Sequence, residues 1–199
     1  MRTRLLAAVV LVAALATAGC SGSETSVATV SGPLCDQLPK GDEPGNPPAL
    51  ANEPVSRALQ WITVLTTFES ALRASDLLPE IEGKKAITVL APSDDAFFAK
   101  FSQDNLDNMM IKDKETLRTL LRAHIVDRAL TLEDLRDADS VTTLDGTTIR
   151  LSEADAMARI GDEAQTVCAD YRVANGRVHV INHVLGNLPT TAGQGDSGH

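Results

Sequence analysis

The chain has 199 residues, with 18 lysines and arginines against 27 aspartates and glutamates, a formal net charge of −9 and 3% aromatics. So acidic a surface makes nucleic acid and anionic headgroups poor partners, and so few aromatics leave little on which sugars or bases could stack. The length suits one domain with a sizeable core.

At the N-terminus, Arg2 and Arg4 precede an apolar run from Leu5 to Ala16 and then Thr17-Ala18-Gly19-Cys20, the three-part layout of a secretory signal. The 12 residues of that run are too few to span a bilayer. Small residues directly before a cysteine resemble a bacterial lipoprotein cleavage site, so residues 1–19 are expected to be removed and Cys20 to carry a diacylglyceryl thioether. The alternative is an ordinary signal cut near Ala18, with Cys20 incidental. Two or three acyl chains meet the condition for stable anchoring, at about 0.8 kcal/mol per buried CH₂. Loss of Arg2 and Arg4 leaves 16 basic against 27 acidic residues, a mature charge of −11.

Once Cys20 is acylated, Cys35 and Cys168 remain in an exported, oxidising compartment, and pairing between them is expected. A loop that long stabilises a fold by about 4 to 5 kcal/mol on the chain-entropy model. Two separate buried thiols are the alternative.

Residues 20–49 read as a flexible tether followed by irregular chain carrying Pro39, Pro44, Pro47 and Pro48, which Cys35 would tie to the body. The folded unit is expected over residues 50–189, and the polar tail 190–199 is expected to be disordered. Pro54 opens a stretch in which Val55, Ala58, Leu59, Ile62, Leu65, Phe68 and Leu72 recur at spacings of three and four, predicting one long helix. Ile87, Val89 and Leu90 predict a strand that Pro92 ends, after which Ser93 N-caps a helix with Asp94 and Asp95 in its first turn. A further helix over Glu115–Val126 aligns Leu117, Leu120, Leu121 and Ile125, and Thr131-Leu-Glu-Asp134 is a weak capping box for a short one. Beyond Asp139 the period becomes extended. Asp145-Gly146 joins one predicted hairpin, and Asn175-Gly176 joins another built from residues 166–174 and 177–185. Helices first and antiparallel strands later argue an α+β fold.

Catalytic patterns are missing. His179 and His183 would share a strand face, but no third metal ligand accompanies them, and no cofactor or metal is expected. His124 lies beside Leu120, Leu121 and Ile125 on an apolar helix face, the setting of a satisfied core histidine. No Gly-x-Ser-x-Gly elbow surrounds Ser93, and capping accounts for Ser93, Asp94 and Asp95 together. No glycine-rich phosphate loop follows a strand. The chain is not expected to be an enzyme.

Thr88-Val-Leu-Ala-Pro-Ser-Asp-Asp-Ala-Phe97 together with Gly176-Arg-Val-His-Val-Ile-Asn-His-Val-Leu185 resembles the two signature segments of fasciclin-like domains. Leu120-Leu-Arg-Ala-His-Ile-Val126 is similar to that family's Tyr-His segment, with Ala123 where the tyrosine would stand and Asn182 where the second signature usually has aspartate. The resemblance covers about residues 54–189, and the leader with Cys35 and Cys168 is most similar to bacterial exported fasciclin antigens, in which a disulfide fastens the N-terminal extension. It implies a compact β-sandwich or wedge with several helices packed around it. It also implies a non-catalytic adhesion or protein-interaction module, here a monomer held on the outer face of the cell membrane by acylated Cys20, with a surface or matrix protein or glycan as partner. The candidate binding surface near the signatures comprises Asp94, Asp95, Arg122, His124 and Asp127. A carrier holding a lipid or other apolar small molecule between the helices and the sheet is the alternative function.

Overall fold

The computed structural model describes residues 29–193; the expected signal, the expected lipidation at Cys20 and most of the polar tail lie outside them. The described chain opens with a 3-10 turn at Pro33–Gln37 and a short helix α1 (Pro47–Leu50), both in the stretch read as irregular. Prolines cause both. Pro33 and Pro47 sit in first turns, where a missing N–H costs nothing, and the Asn46 side chain accepts the Ala49 N–H at 2.9 Å.

The single long helix expected from Pro54 is instead three pieces: α2 (Val55–Ala58), a 3-10 turn (Leu59–Trp61) and α3 (Thr66–Ala74). Ile62 adopts an extended conformation, and α3 restarts because the Asp94 carboxylate, from a distant helix, accepts from the N–H groups of Thr66 and Thr67 at 3.4 and 2.7 Å. The apolar spacing survived the break because Val55, Ala58, Leu59, Ile62, Leu65, Phe68 and Leu72 are all buried. Helix α4 (Leu78–Glu82) follows, then β1 (Ile87–Pro92), and α5 (Asp94–Lys100), capped by Ser93 as expected through the Ala96 N–H at 3.2 Å. Helices α6 (Gln103–Ile111) and α7 (Lys114–Arg122) come next. The expected continuation of α7 to Val126 does not occur: Ala123 ends it, and Ile125–Val126 form the short strand β2. The Thr131 capping box is complete and starts α8 (Leu132–Asp137). Strands β3 (Ser140–Thr142), β4 (Thr148–Ala154), β5 (Met157–Ile160), β6 (Ala164–Val173) and β7 (Gly176–Ile181) finish the fold.

The seven strands form one sheet in the order β2-β1-β7-β6-β5-β4-β3. Its ends approach each other where Val126 bridges Thr143 and the Leu144 N–H donates to the Ile125 carbonyl at 2.8 Å, so the sheet is a nearly closed wedge. All the ladders are antiparallel except β1 with β7, where Ile87 pairs with Gly176 and the register continues to Pro92 with Ile181. That parallel pair joins the two signature segments directly. Along β1 the period of two sends Ile87, Val89 and Ala91 into the core beneath the helices and Leu90 into a second core shared with α8 and β3 to β5. Gly176 is required by packing: a Cβ there would lie 1.9 Å from the Ile87 carbonyl oxygen.

Cys35 and Cys168 are joined by a disulfide, which fixes the N-terminal segment on β6. Beside it, Ser31 and Ala169 exchange two backbone hydrogen bonds at 3.1 and 2.8 Å, made possible by irregular register between Thr166 and Tyr171 and by Asp170 in a left-handed conformation, φ 71°. Near the C-terminus the expected free tail is tied in part. The Thr191 N–H donates to the Lys100 carbonyl at 2.8 Å, and the Ser102 N–H donates to Thr191 Oγ1 at 3.0 Å.

Candidate interaction surface

Three polar residues of the two signatures, Thr88, Ser93 and His179, are buried. The Thr88 hydroxyl is buried, donating to the Arg128 carbonyl at 2.6 Å and accepting from the Leu130 N–H at 2.8 Å. Asn182 takes the place of the usual aspartate as an acceptor, its Oδ1 receiving the Gln165 N–H at 2.8 Å. His179 is fully buried; its Nε2–H donates to the Leu130 carbonyl at 2.9 Å and its Nδ1 accepts from the Asp170 N–H at 3.3 Å, so burial keeps its pKa below the usual value. His183 lies beyond the end of β7 and is exposed, so the two imidazoles do not share a strand face. Among the described residues no group of three or more His, Cys, Asp or Glu side chains is placed to hold a metal ion.

Of the five candidate contacts, His124 is corrected outright: it has no exposed surface. Its Nδ1–H donates to the Leu120 carbonyl at 2.8 Å, and its Nε2 accepts the Leu185 N–H at 2.8 Å. The ring meets Phe68 edge-on at 6.1 Å, and burial lowers its pKa from 6.5 to about 4 despite the Leu120 carbonyl and Asp145. Asp94 is occupied as the cap of α3, its Oδ2 also accepting from the Thr66 hydroxyl at 2.8 Å. Arg122 is half-buried, one nitrogen 2.6 Å from Glu80 Oε1 and another 2.8 Å from the Leu144 carbonyl. Asp127 pairs with Lys84 at 2.7 Å. Asp95 alone is an exposed carboxylate on open helix surface. Nor do the five converge. Asp94 and Asp95 follow the C-terminal end of β1, whereas Asp127 follows Val126, which pairs with Thr88 at its other end, a strand length of roughly 17 Å away.

An unpredicted surface lies beside Asp95. Phe98, one helical turn after Asp95 on α5, is 52% exposed, and Ile111 at the end of α6 is 72% exposed. Phe98 borders an open groove of about 220 Å³ walled by Thr66, Thr67 and Ser70 of α3 and by Gln103, Leu106, Asp107 and Met110 of α6. The signal for it was available: Phe98 follows Phe97, and only one of two adjacent helical positions can face the core. The other large concavity, about 790 Å³, is a shallow depression beside the N-terminal segment with Asp36, Lys40 and Glu43 on its rim. Both open broadly to solvent, and neither is the enclosed apolar chamber that the carrier alternative calls for.

The family model of the fasciclin domain matches residues 63–188. At 35% identity over 136 residues, the chain is similar to transforming growth factor-beta-induced protein ig-h3 of Sus scrofa, the match taking in 67% of this chain and 19% of that protein. Protein sll1483 of Synechocystis sp. is 26% identical over 121 residues, 60% of this chain and 66% of the relative. The fold is similar to the solved FAS1 domain pair of the insect cell adhesion molecule fasciclin I, with a TM-score of 0.50 and 27% identity over 62% of this chain and 45% of that one. The chain thus spans about a fifth of ig-h3 and under half of the domain pair. With well over half of its length matched, the chain belongs to the fasciclin domain family.

Proposed function

We propose that this chain is a non-catalytic adhesion or protein-interaction module, exported and held on the outer face of the cell membrane through an acylated Cys20. It engages a surface or matrix protein through the α3–α5–α6 groove. The observation that carries the reading is the exposure of Phe98 on the wall of that groove, since a large apolar side chain left in water beside a concavity marks a binding surface; Ile111, at the end of α6, is exposed as well. Small hydroxyl residues on the α3 wall let a partner approach closely, and Asp107 gives the groove acidic character. Membership of a family that includes a relative named as a cell adhesion molecule supports the class of function.

The mature full-length protein, as a monomer on supported membranes, is to be presented to an array of matrix proteins, glycans and lipids. Saturable binding to a protein, weakened roughly tenfold or more by Phe98→Ser with an unchanged melting temperature, is the expected result. Binding that ignores Phe98→Ser and Ile111→Ser would remove the groove from the proposal. Extraction of a lipid with nothing else bound would favour the carrier. Mass spectrometry of membrane-extracted protein tests the anchor directly, because an N-terminal Cys20 without acyl mass ends that part of the reading.

A further inference from the structure

Residues 29–52 precede the span matched to the family and lie as a strap on the body. The 3-10 turn at Pro33–Gln37 and α1 both pack on β6. Among the described residues, backbone bonding joins the strap to the body near its start, at Ser31 with Ala169, and at the residue after its end, where the Glu53 carbonyl accepts the Ala174 N–H at 2.8 Å. From Asp36 to Asn52 the hydrogen bonds are local, as in Asn46 with Glu43 and Lys40 with Asp36. In that interval noncovalent attachment rests on a few buried side chains, Leu38, Pro47 and Leu50 among them.

The disulfide is the exception. Cys168 has no exposed surface and Cys35 only 9%, so the bond is shielded from solvent thiols while the strap is in place. Its far end sits on an inner strand of the sheet. β6 pairs with β7, β7 pairs in parallel with β1 over its whole length, and β1 runs into α5, where the Ser93 N–H donates to the Ile181 carbonyl at 3.0 Å. A covalent and hydrogen-bonded path therefore runs from the entry of the chain to the helix that carries Phe98.

We propose that the Cys35–Cys168 bond is a force-transmitting staple. Tension arriving along the N-terminal tether passes at Cys35 into β6 and across β7 and β1 to α5, bypassing a strap that would otherwise peel. The inference rests on the tethered-module reading, but its test needs neither anchor nor partner.

The mature chain is to be stretched as a single molecule between a handle ahead of Thr29 and a second one introduced as an azido-phenylalanine at exposed Ala99. The intact protein is expected to hold without early extension. Cys35→Ala/Cys168→Ala is expected to show an added low-force step as residues 36–52, which the bond otherwise shields from load, peel, roughly 60 Å for 17 residues at about 3.4 Å each. A double variant that unfolds in one step at the force of the intact protein would overturn the proposal. Should that variant fail to fold, the disulfide-bonded protein decides alone. Moving the first handle to exposed Asn52 loads α2 in place of β6 and is expected to lower the unfolding force, and equal forces from the two attachment points would equally overturn it. Failed acylation or failed partner binding would leave these forces unaffected.

Discussion

His124 makes the acid limb of the stability curve predictable. Folded, its ring is neutral and enclosed, with Nε2 accepting the Leu185 N–H; a second ring proton would set two donors face to face where no water reaches. Burial places its pKa at about 4 in the fold against 6.5 when unfolded. Between those values the unfolded chain takes up a proton that the folded one refuses, so stability is complete above about pH 6.5, falls as pH drops, and has lost this contribution below about pH 4. At about 1.36 kcal/mol per pH unit the loss amounts to ~3 kcal/mol, a large part of a small domain's stability. His179, also lowered by burial, adds in the same direction. Asp134, whose carboxylate accepts the Thr131 N–H and hydroxyl and is held below 3.8, loses its share only beneath that value, so the window between belongs to the histidines. Urea unfolding followed by Trp61 fluorescence from about pH 7 down to about pH 4.5 measures the slope, and site-resolved NMR of the imidazoles assigns it. A flat stability across that window, or a His124 ring that titrates near 6.5, would refute the reasoning.

The fold makes three further predictions, each checked by equilibrium unfolding. Gly176→Ala drives a methyl into the Ile87 carbonyl and should cost about 3 kcal/mol or more, with loss of amide-exchange protection along β1 and β7. Asp94→Ala removes the cap that restarts α3 and should cost about 1 kcal/mol, whereas neighbouring Asp95→Ala should be close to neutral. Tyr171→Phe should be neutral or stabilising by about 1 kcal/mol, because the buried hydroxyl has no hydrogen-bond partner among the described residues and burial alone raises its pKa to about 12.

Local chemistry was legible in the sequence wherever a residue acts on its own neighbours. Ser93, the Thr131 box and the Asp145-Gly146 turn stand where their side chains or backbone freedom direct them, and the last hairpin forms too, but its two turn residues are Ala174 and Asn175, because Gly176 already pairs with Val173 and with Ile87 as the first residue of β7. Where a longer element was misread, a partner distant in sequence decided it. The helix from Pro54 breaks because a carboxylate 28 residues away caps Thr66. The end of α7 becomes β2 because Thr88 and Val89 offer Val126 and Ile125 a ladder. The parallel pairing of β1 with β7 spans most of the domain and leaves no local trace. The pairing of the candidate charges was hidden for the same reason, since Asp94, Arg122 and Asp127 gave no sign of their partners until α3, Glu80 and Lys84 were placed beside them.

A consequence for function follows from where the signature residues direct their polar groups. Thr88 bonds the Arg128–Leu130 segment, Ser93 and Asp94 cap two helices, Gly176 admits the Ile87 carbonyl, His179 holds Leu130 and Asp170, and Asn182 holds Gln165. These groups are committed to the backbone of the same chain, so what makes the family recognisable is what closes its sheet, and little of it is left to face a partner. On the proposed reading, partner choice falls to exposed residues outside that framework, such as Phe98 and Ile111. One fold can in this way serve proteins as different in length as ig-h3 and this chain, with the α3–α5–α6 face free to differ between them.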